Sequence, residues 1–334
     1  MDDVKARFPL LTLLTAGFMV LWPDPSGLAV AKVAAQGAQQ TATQATQEAW
    51  PDTEVIVKGK VSISPALWRI QKGDAQIIIL GTLPVFPKSQ AWNTKRVENA
   101  LRGARSLITP PNSNPGFFDM MGLLSKKALP GRQLLKNVLT PELNARYEET
   151  ARRAGVDIRD FAHDKPVWAG ARLRRVVLQR RGLSDEEPLA TVVRLAHRAD
   201  VPVKAAGKYK IGPIFKDVNA MDVTASQACL SFALDDIDFD LDRAPRAATA
   251  WAQGDIRTVR ANYEGSALMK CLSGSDQAAL LNERSTSDAM TAVTEALSTP
   301  GKTVAVLPLA MMLRKGGVLE RLRSQGYSVS NPED

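Results

Sequence analysis

The sequence predicts an α/β fold in which a central sheet is flanked by helices, and three observations carry this prediction. A buried β-rich run, QIIILG at 76–81, lies toward the N-terminal end, and a second, TVAVLP at 303–308, lies toward the C-terminal end. Between them the chain is rich in helix-start and helix-stop signals. We therefore expect two strand–loop–helix halves that face one cleft, with a helical middle segment between them.

The first 31 residues are expected to be a secretory signal peptide. Lys5 and Arg7 precede an uncharged, largely apolar run at 8–22, and Leu28-Ala29-Val30-Ala31 has the small-residue pattern of a cleavage site. A core helix or an uncleaved anchor is the alternative, but a membrane span needs about 20 apolar residues. The Ala/Gln/Thr-rich composition of residues 32–49 predicts a flexible linker, and a single domain is expected at 50–334.

The predicted export to the periplasm or the exterior affects the expected oxidation state of the two cysteines of the chain, Cys229 and Cys271. An oxidising compartment allows them to form a disulfide, and two buried free thiols are the alternative. They lack the CxxC spacing of a metal site. The sequence therefore predicts a disulfide, and it predicts no transmembrane span after cleavage of the signal peptide.

The chain carries a formal net charge of +8. An exported protein does not routinely meet nucleic acid, so an anionic envelope component is the partner class that this charge favours, and a solvated basic face is the alternative. The predicted helix from Lys165-Pro166 to Gly182 offers a candidate basic patch without an intervening acid. Its residues are Arg172, Arg174, Arg175, Arg180 and Arg181.

The N-terminal half begins with a predicted hairpin. The runs LWRI and QIIILG flank the turn signal Lys72-Gly73-Asp74. A short helix is expected at 94–102, and then a strand at 107–110 that ends at Pro110-Pro111.

The middle segment is predicted to be helical. Thr140-Pro141-Glu142 begins a helix that Gly155 ends, and Ser184-Asp185-Glu186-Glu187 begins another that runs to about Ala199. Residues 201–203 are a possible strand. The alternating acids of LDDIDFDLDR at 234–243 lack the glycine and glutamate of a calcium loop, so they predict an acidic strand face or a loop, with Asp242 capping the next helix. That helix is expected to end at Gly254.

The C-terminal part repeats the strand–loop–helix layout. We expect a helix at 282–298, the buried strand at 303–308, a helix at 317–325 and a last strand after the turn at 326–327. Ligands bind beyond the carboxyl ends of strands in open α/β sheets, so residues 81–84 and 307–312 should face one cleft.

Several segments together resemble the TraB/GumN family, whose relatives include the Tiki metalloproteases. They are PALWRIQKGDAQIIILGTLPVFPKSQAWNTKRVENALRGARSLI at 65–108, MDVTASQ at 221–227, WAQGD at 251–255, NER at 282–284 and GGVLERLRSQGYSV at 316–329. The family has Gly-x-x-His after its first strand, a Glu ending the next strand and a second Gly-x-x-His near its C-terminus. The resemblance implies that these residues bind a divalent metal for hydrolysis.

All three ligand positions are replaced in this chain. Gly81 is kept, but Pro84 stands at the first His position, Pro110 at the Glu position and Met311 at the second His position, with Pro308 in place of its Gly. Proline has no side-chain donor, and a thioether is a soft ligand unsuited to zinc or manganese. The resemblance therefore predicts a degenerate site without metal or other cofactor, and no catalytic residue.

Two further positions leave alternatives open. Asp222 stands where the family has a Glu, so it is either part of a rebuilt metal site or a structural residue. Arg284 matches a family arginine that either binds an anion in the cleft or ties down a loop. The two histidines of the chain, His163 and His197, lie far in sequence from the strand ends.

The resulting functional prediction is a periplasmic or secreted TraB/GumN-like protein that acts as a non-catalytic binding or regulatory module. Its cleft would be apolar, lined by Leu83, Pro84, Pro308, Met311 and Met312, and suited to a peptide, lipid or glycan. A metal-dependent hydrolase or peptidase with a rebuilt site, or an accessory factor in envelope polysaccharide handling, is the alternative.

Overall fold

The computed structural model describes residues 63–113, 127–210, 212–263, 266–272 and 276–330. The predicted signal peptide at 1–31 and the linker at 32–49 lie outside the described residues, as does the expected start of the domain at Trp50.

Six strands form the main sheet of the described chain: β1 (Leu67–Lys72), β2 (Ala75–Thr82), β4 (Leu107–Thr109), β7 (Val203–Ala205), β9 (Gly301–Pro308) and β10 (Ser328–Ser330). Two short pairs lie beside it, β3 (Phe86–Pro87) with β6 (Leu183–Ser184) and β5 (Asn112–Ser113) with β8 (Lys208–Tyr209).

The strand order in the main sheet is β10-β1-β2-β9-β4-β7. β1 and β2 form the predicted antiparallel hairpin, whose turn uses the positive φ of Gly73. β2, β9, β4 and β7 are parallel to one another, so their carboxyl ends lie at one edge of the sheet. The sequence prediction of a central sheet in an α/β fold is confirmed.

The helices of the described residues are α1 (Lys95–Leu101), α2 (Pro141–Arg153), α3 (Pro166–Arg180), α4 (Leu189–Arg198), α5 (Gly212–Ala220), α6 (Val223–Gln253), α7 (Ile256–Asn262), α8 (Ala267–Leu272), α9 (Asp276–Ala296), α10 (Leu309–Leu313) and α11 (Val318–Ser324). No helix in this part of the chain combines the length and the apolar character that crossing a membrane requires.

The largest hydrophobic core lies around the sheet. Fully buried residues of the two central strands, such as Ile77, Ile79 and Val306, pack with buried residues of the flanking helices, such as Val293 of α9 and Leu101 of α1. These strands are hydrophobic on both faces, as expected for parallel strands that helices cover. A second core lies in the helical middle, where α3 packs along α6.

The expectation of an acidic strand face or loop at 234–243 is wrong, because this segment lies inside α6. Leu230, Leu234 and Ile237 recur at helical spacing and are fully buried in the core of the middle segment. Asp236 and Asp240 are one helical turn apart, so they occupy one face of the helix. The alternation of aspartates therefore reflects two helical faces, one buried and one exposed.

The buried aspartates of α6 form a polar network with two other helices. Arg174 of α3 donates to Asp240 at 2.6 Å and lies 3.9 Å from Asp236. Asp236 also accepts hydrogen bonds from the backbone N–H groups of Ala267 and Leu268, at 2.7 and 3.2 Å. The network thus satisfies the free N–H groups that begin α8 and fixes α8 on α6.

Burial raises the pKa of Asp240 to about 6, against the opposing attraction of Arg174 and with a contribution from Asp236. Because this pKa lies above the ordinary value, the folded protein holds the proton more tightly than the unfolded chain. The stabilisation from this proton is fully present below about pH 4 and is lost as the pH rises through about 6.

We therefore expect the free energy of unfolding to fall more steeply between about pH 4 and 6 in the wild type than in Asp240→Asn. Urea denaturation at several pH values measures both slopes. Asp242→Asn is the matched control, because Asp242 is exposed and pairs with Arg246 on the surface. Identical slopes for the wild type and Asp240→Asn would contradict the prediction.

Candidate active-site edge

The candidate site lies at the edge of the sheet where the parallel strands end. Gly81 pairs with Leu307, and Thr82, the last residue of β2, pairs with Pro308, the last residue of β9. β4 ends beside β9, and Pro110 follows it directly. The topology therefore brings together the two segments that the sequence placed there, 81–84 and 307–312.

The end of β2 is held by close packing against two helices. Trp251 near the end of α6 donates its indole N–H to the carbonyl of Gly81 at 2.7 Å and is almost fully buried. A Cβ atom on Gly81 would clash with the side chain of Leu309 in α10. A side chain at position 81 would therefore displace Leu309 from the buried contact between β2 and α10.

The side chains at this edge divide into buried and accessible groups. Leu83 and Met312 are buried in the main core, so they support the edge from beneath. Pro84 is exposed, while Pro110, Pro308 and Met311 are half-buried. The accessible surface at the ends of the central strands is therefore largely proline and methionine.

These residues do not fit a divalent metal. Pro84 and Pro110 have no side-chain donor, and Met311 offers only a thioether. A catalytic zinc site typically uses three protein ligands with nitrogen, oxygen or thiolate donors. Within the residues that the structure describes, no group of three or more His, Cys, Asp or Glu side chains is placed to hold a metal ion.

Asp222 lies away from this edge. It is the N-cap residue of α6, and its carboxylate accepts a hydrogen bond from the backbone N–H of Ala225 at 2.8 Å. A helix of 31 residues is about 45 Å long, and Trp251, which contacts Gly81, is near its other end. The geometry supports the structural role that the sequence left open, and it separates Asp222 from the strand ends.

The two histidines lie at other places in the fold. The ring of His163 is within hydrogen-bond distance of the Gln133 carbonyl, at 3.1 Å. His197 is exposed in the last turn of α4. Neither residue belongs to a segment that follows β2, β4 or β9.

Arg284 in α9 belongs to a polar cluster beyond the ends of β4 and β7. Its guanidinium lies 5.5 Å from the ring centre of Tyr209 and 3.7 Å from the carboxylate of Asp288. Tyr209, in β8, donates its hydroxyl to Asp288 at 2.7 Å. Burial, followed by the hydrogen bond and charge of Asp288, raises the pKa of Tyr209 to about 12.

Sequence reasoning found Arg284 but missed Asp288 and Tyr209. Asp288 is four residues after Arg284 in a helix, a spacing that could have indicated the ion pair. Tyr209 gave no comparable signal, because its position depends on how β8 extends the sheet edge. Gly207 leaves room for this contact, since a Cβ atom there would lie 2.8 Å from the Tyr209 hydroxyl and would displace it.

The five arginines of the predicted basic patch have different environments. Arg172 forms an ion pair with Asp164 and lies over the ring of Phe161, and Arg174 belongs to the buried network with Asp240. Arg180 and Arg181 donate to backbone carbonyls at the end of α2, and Arg175 is exposed. These side chains therefore do not form one free basic face.

The two cysteines lie at disulfide distance, with 5.5 Å between their Cα atoms. Cys229 is buried in α6 and Cys271 is in α8, so the bond joins the same two helices as the Asp236 network. This pair agrees with the sequence prediction.

Comparison with known proteins gives one finding. No curated protein and no solved structure matches the chain. The model of the TraB/PrgY/gumN family matches residues 66–331, which include the sheet, its carboxyl edge and the helical middle. Because this match covers most of the 334 residues, the chain belongs to the TraB/PrgY/gumN family, as its sequence motifs indicate.

Proposed function

We propose that this chain is a non-catalytic member of its family that acts as a binding or regulatory module of the cell envelope. The observation that carries the proposal is the chemistry of the strand ends. Of three neighbouring parallel strands, β9 ends at Pro308 and β2 and β4 are followed by Pro84 and Pro110, with Met311 about one helical turn after Pro308. The resemblance assigns metal ligands to Pro84, Pro110 and Met311.

Loss of these ligands affects both binding and loop shape. Three missing donors leave no part of a typical three-ligand zinc site. Proline also fixes φ near −65° and removes a backbone donor, so each loop is rigid where a ligand would have to approach the ion. A rigid, partly apolar edge suits contact with a peptide, lipid or glycan better than activation of water.

The envelope location rests on two features. The predicted signal peptide directs the chain to the periplasm or the exterior. The Cys229–Cys271 pair supports this location, because disulfides persist mainly in oxidising compartments. The net charge of +8 favours an anionic envelope component as a partner.

A hydrolase with a rebuilt site is the second candidate function. The observation in its favour is the cluster of Asp288, Tyr209 and Arg284 beyond the ends of β4 and β7. Asp222 no longer supports this candidate, because it caps the opposite end of α6. A role in polysaccharide handling rests on the family name and the basic charge of the chain.

Thermal unfolding with added zinc, manganese or cobalt tests the proposal. A specific metal at 100 times its dissociation constant would stabilise the protein by about 2.7 kcal/mol. We expect no shift in Tm with any of the three ions, and no peptidase activity in their presence.

Two variants make this test sharper. The triple variant Pro84→His/Pro110→Glu/Met311→His restores the donor types of the family. Its Tm is measured with and without each metal ion, for comparison with the wild type. Asp288→Asn removes the carboxylate of the rebuilt-site candidate. A rise in Tm of the wild type that Asp288→Asn abolishes would contradict the non-catalytic proposal.

A further inference from the structure

A groove of about 430 Å³ lies between α9 and the β4–β7 part of the sheet. It runs along one side of α9, and only Asp288 belongs to the polar cluster described above. Its lining includes four charged residues, Arg105, Lys204, Asp288 and Glu295, together with hydroxyl-bearing and small apolar side chains. Its volume lies within the range of small-molecule sites.

Two of the four charged groups in the groove are already compensated by the protein. Arg105 donates to the carbonyls of Ala296 and Thr299, at 3.1 and 3.0 Å. Asp288 accepts the Tyr209 hydroxyl and pairs with Arg284. Neither group needs a ligand to balance its charge.

Lys204 and Glu295 are the remaining charges. Both side chains are exposed, and within the described residues neither forms a hydrogen bond or an ion pair, either with the other or with a third group. Two opposite charges therefore line the same groove, and they do not form an ion pair with each other. A ligand complementary to this pair carries an anionic group for Lys204 and a cationic group for Glu295.

The rest of the lining sets the size and polarity of such a ligand. Hydroxyl groups come from Ser106, Thr291 and Thr299, while the apolar surface is made of small alanines and Ile108. Small apolar side chains leave room for a short carbon skeleton, and the hydroxyls can satisfy further polar atoms. No aromatic ring lines this groove, so nothing in it favours a large planar ligand.

We propose that this groove binds a small zwitterion of the amino-acid class, with its carboxylate on Lys204 and its ammonium group on Glu295. A ligand with only negative charge would meet Glu295, and one with only positive charge would meet Lys204. A neutral apolar ligand would cover both charged groups without replacing their water. The proposal concerns a different surface from the proline-rich strand ends and goes beyond the function proposed above.

Isothermal titration calorimetry with free L-, D- and ω-amino acids tests the proposal on the full mature chain. The N-acetylated and the amidated form of each binder serve as matched ligands, because each lacks one of the two charges. The buffer contains a chelator, so the result does not depend on whether the protein binds metal. We expect at least one free amino acid to bind, and both blocked forms to bind at least about 10-fold more weakly, a difference of about 1.4 kcal/mol.

Lys204→Gln and Glu295→Gln are the test variants, and Lys208→Gln is the control because Lys208 is exposed and outside the groove lining. We expect each test variant to weaken binding at least about 10-fold, with the control unchanged. Equal Tm values establish that the variants are folded. The proposal is overturned if no amino acid binds, if the blocked forms bind equally well, or if binding survives both test substitutions.

Discussion

Replacing Trp251 with alanine should lower the free energy of unfolding by about 3–5 kcal/mol, the range for removing a large buried aromatic side chain. Trp251 is 1% exposed and contacts the rings of Phe86 and Trp92 edge-on, with centroids 5.2 and 5.3 Å away. Its substitution leaves a cavity between α6 and the sheet. It also leaves the Gly81 carbonyl without its indole donor at the end of β2.

Urea denaturation of Trp251→Ala and Trp251→Phe separates these two contributions. The phenylalanine variant keeps most of the packing but lacks the indole N–H, so its loss should be smaller, about 1–3 kcal/mol. Trp168→Phe is a useful control, because it also removes an indole N–H hydrogen bond, to Asn219 at 2.8 Å, but at a place away from Gly81. A loss below about 1 kcal/mol for Trp251→Ala would show that the strand end is not held as described.

Removing the disulfide should cost about 2–4 kcal/mol, because the bond restricts a loop between residues 42 positions apart in the unfolded chain. Cys229→Ala/Cys271→Ala is the test variant, since Cys229 is buried and alanine introduces no polar group. The Asp236 network should still hold α8 on α6, so we expect a folded but less stable protein.

Urea denaturation with and without a thiol reductant measures this effect. The reductant should destabilise the wild type and leave the double alanine variant unchanged. Two alkylatable thiols in protein that is denatured without reduction would contradict the prediction, as would a wild type that the reductant does not affect.

The parts of the fold that the sequence predicted well have local causes. Thr140 accepts a hydrogen bond from the backbone N–H of Leu143, as its N-cap pattern indicates. Gly254 ends α6 with a positive φ of 80°, and Asp255 then begins α7. The β1–β2 hairpin also depends on neighbouring residues and a short turn. Such signals are present in the sequence because the interacting groups are close along the chain.

Predictions failed where the deciding partner is distant in sequence. Asp240 is buried in a helix because Arg174, 66 positions earlier, neutralises it. The pairing of Asp288 with Tyr209 spans 79 positions and depends on the path of the chain after β7. The residues next to Asp240 and Asp288 do not identify Arg174 and Tyr209 as partners, so neither contact can be predicted from the local sequence.

A start signal can also serve a different local structure. Ser184-Asp185-Glu186-Glu187 was expected to begin a helix, but α4 begins at Leu189. The Ser184 hydroxyl accepts from the backbone N–H groups of Glu186 and Glu187, at 3.1 and 3.3 Å, so it closes a turn before the helix.

At the candidate site, the sequence predicted which segments meet but not which side chains remain accessible. Parallel strands place residues 81–84 and 307–312 at one edge, and this follows from the order of elements. The burial of Leu83 and Met312 beneath that edge depends on how α10 and the other helices pack on the sheet. Asp222 is far from the strand ends because it caps the N-terminus of the long helix α6, whereas the strand ends contact the C-terminal end of that helix.

Elemental analysis of the wild-type protein, purified and dialysed without chelator, is the most direct test of the central claim. We predict no stoichiometric zinc, manganese or cobalt, because Pro84, Pro110 and Met311 supply no nitrogen or carboxylate oxygen. About one such ion per chain, retained through dialysis and lost in Asp288→Ala, would contradict the account and establish a rebuilt metal site.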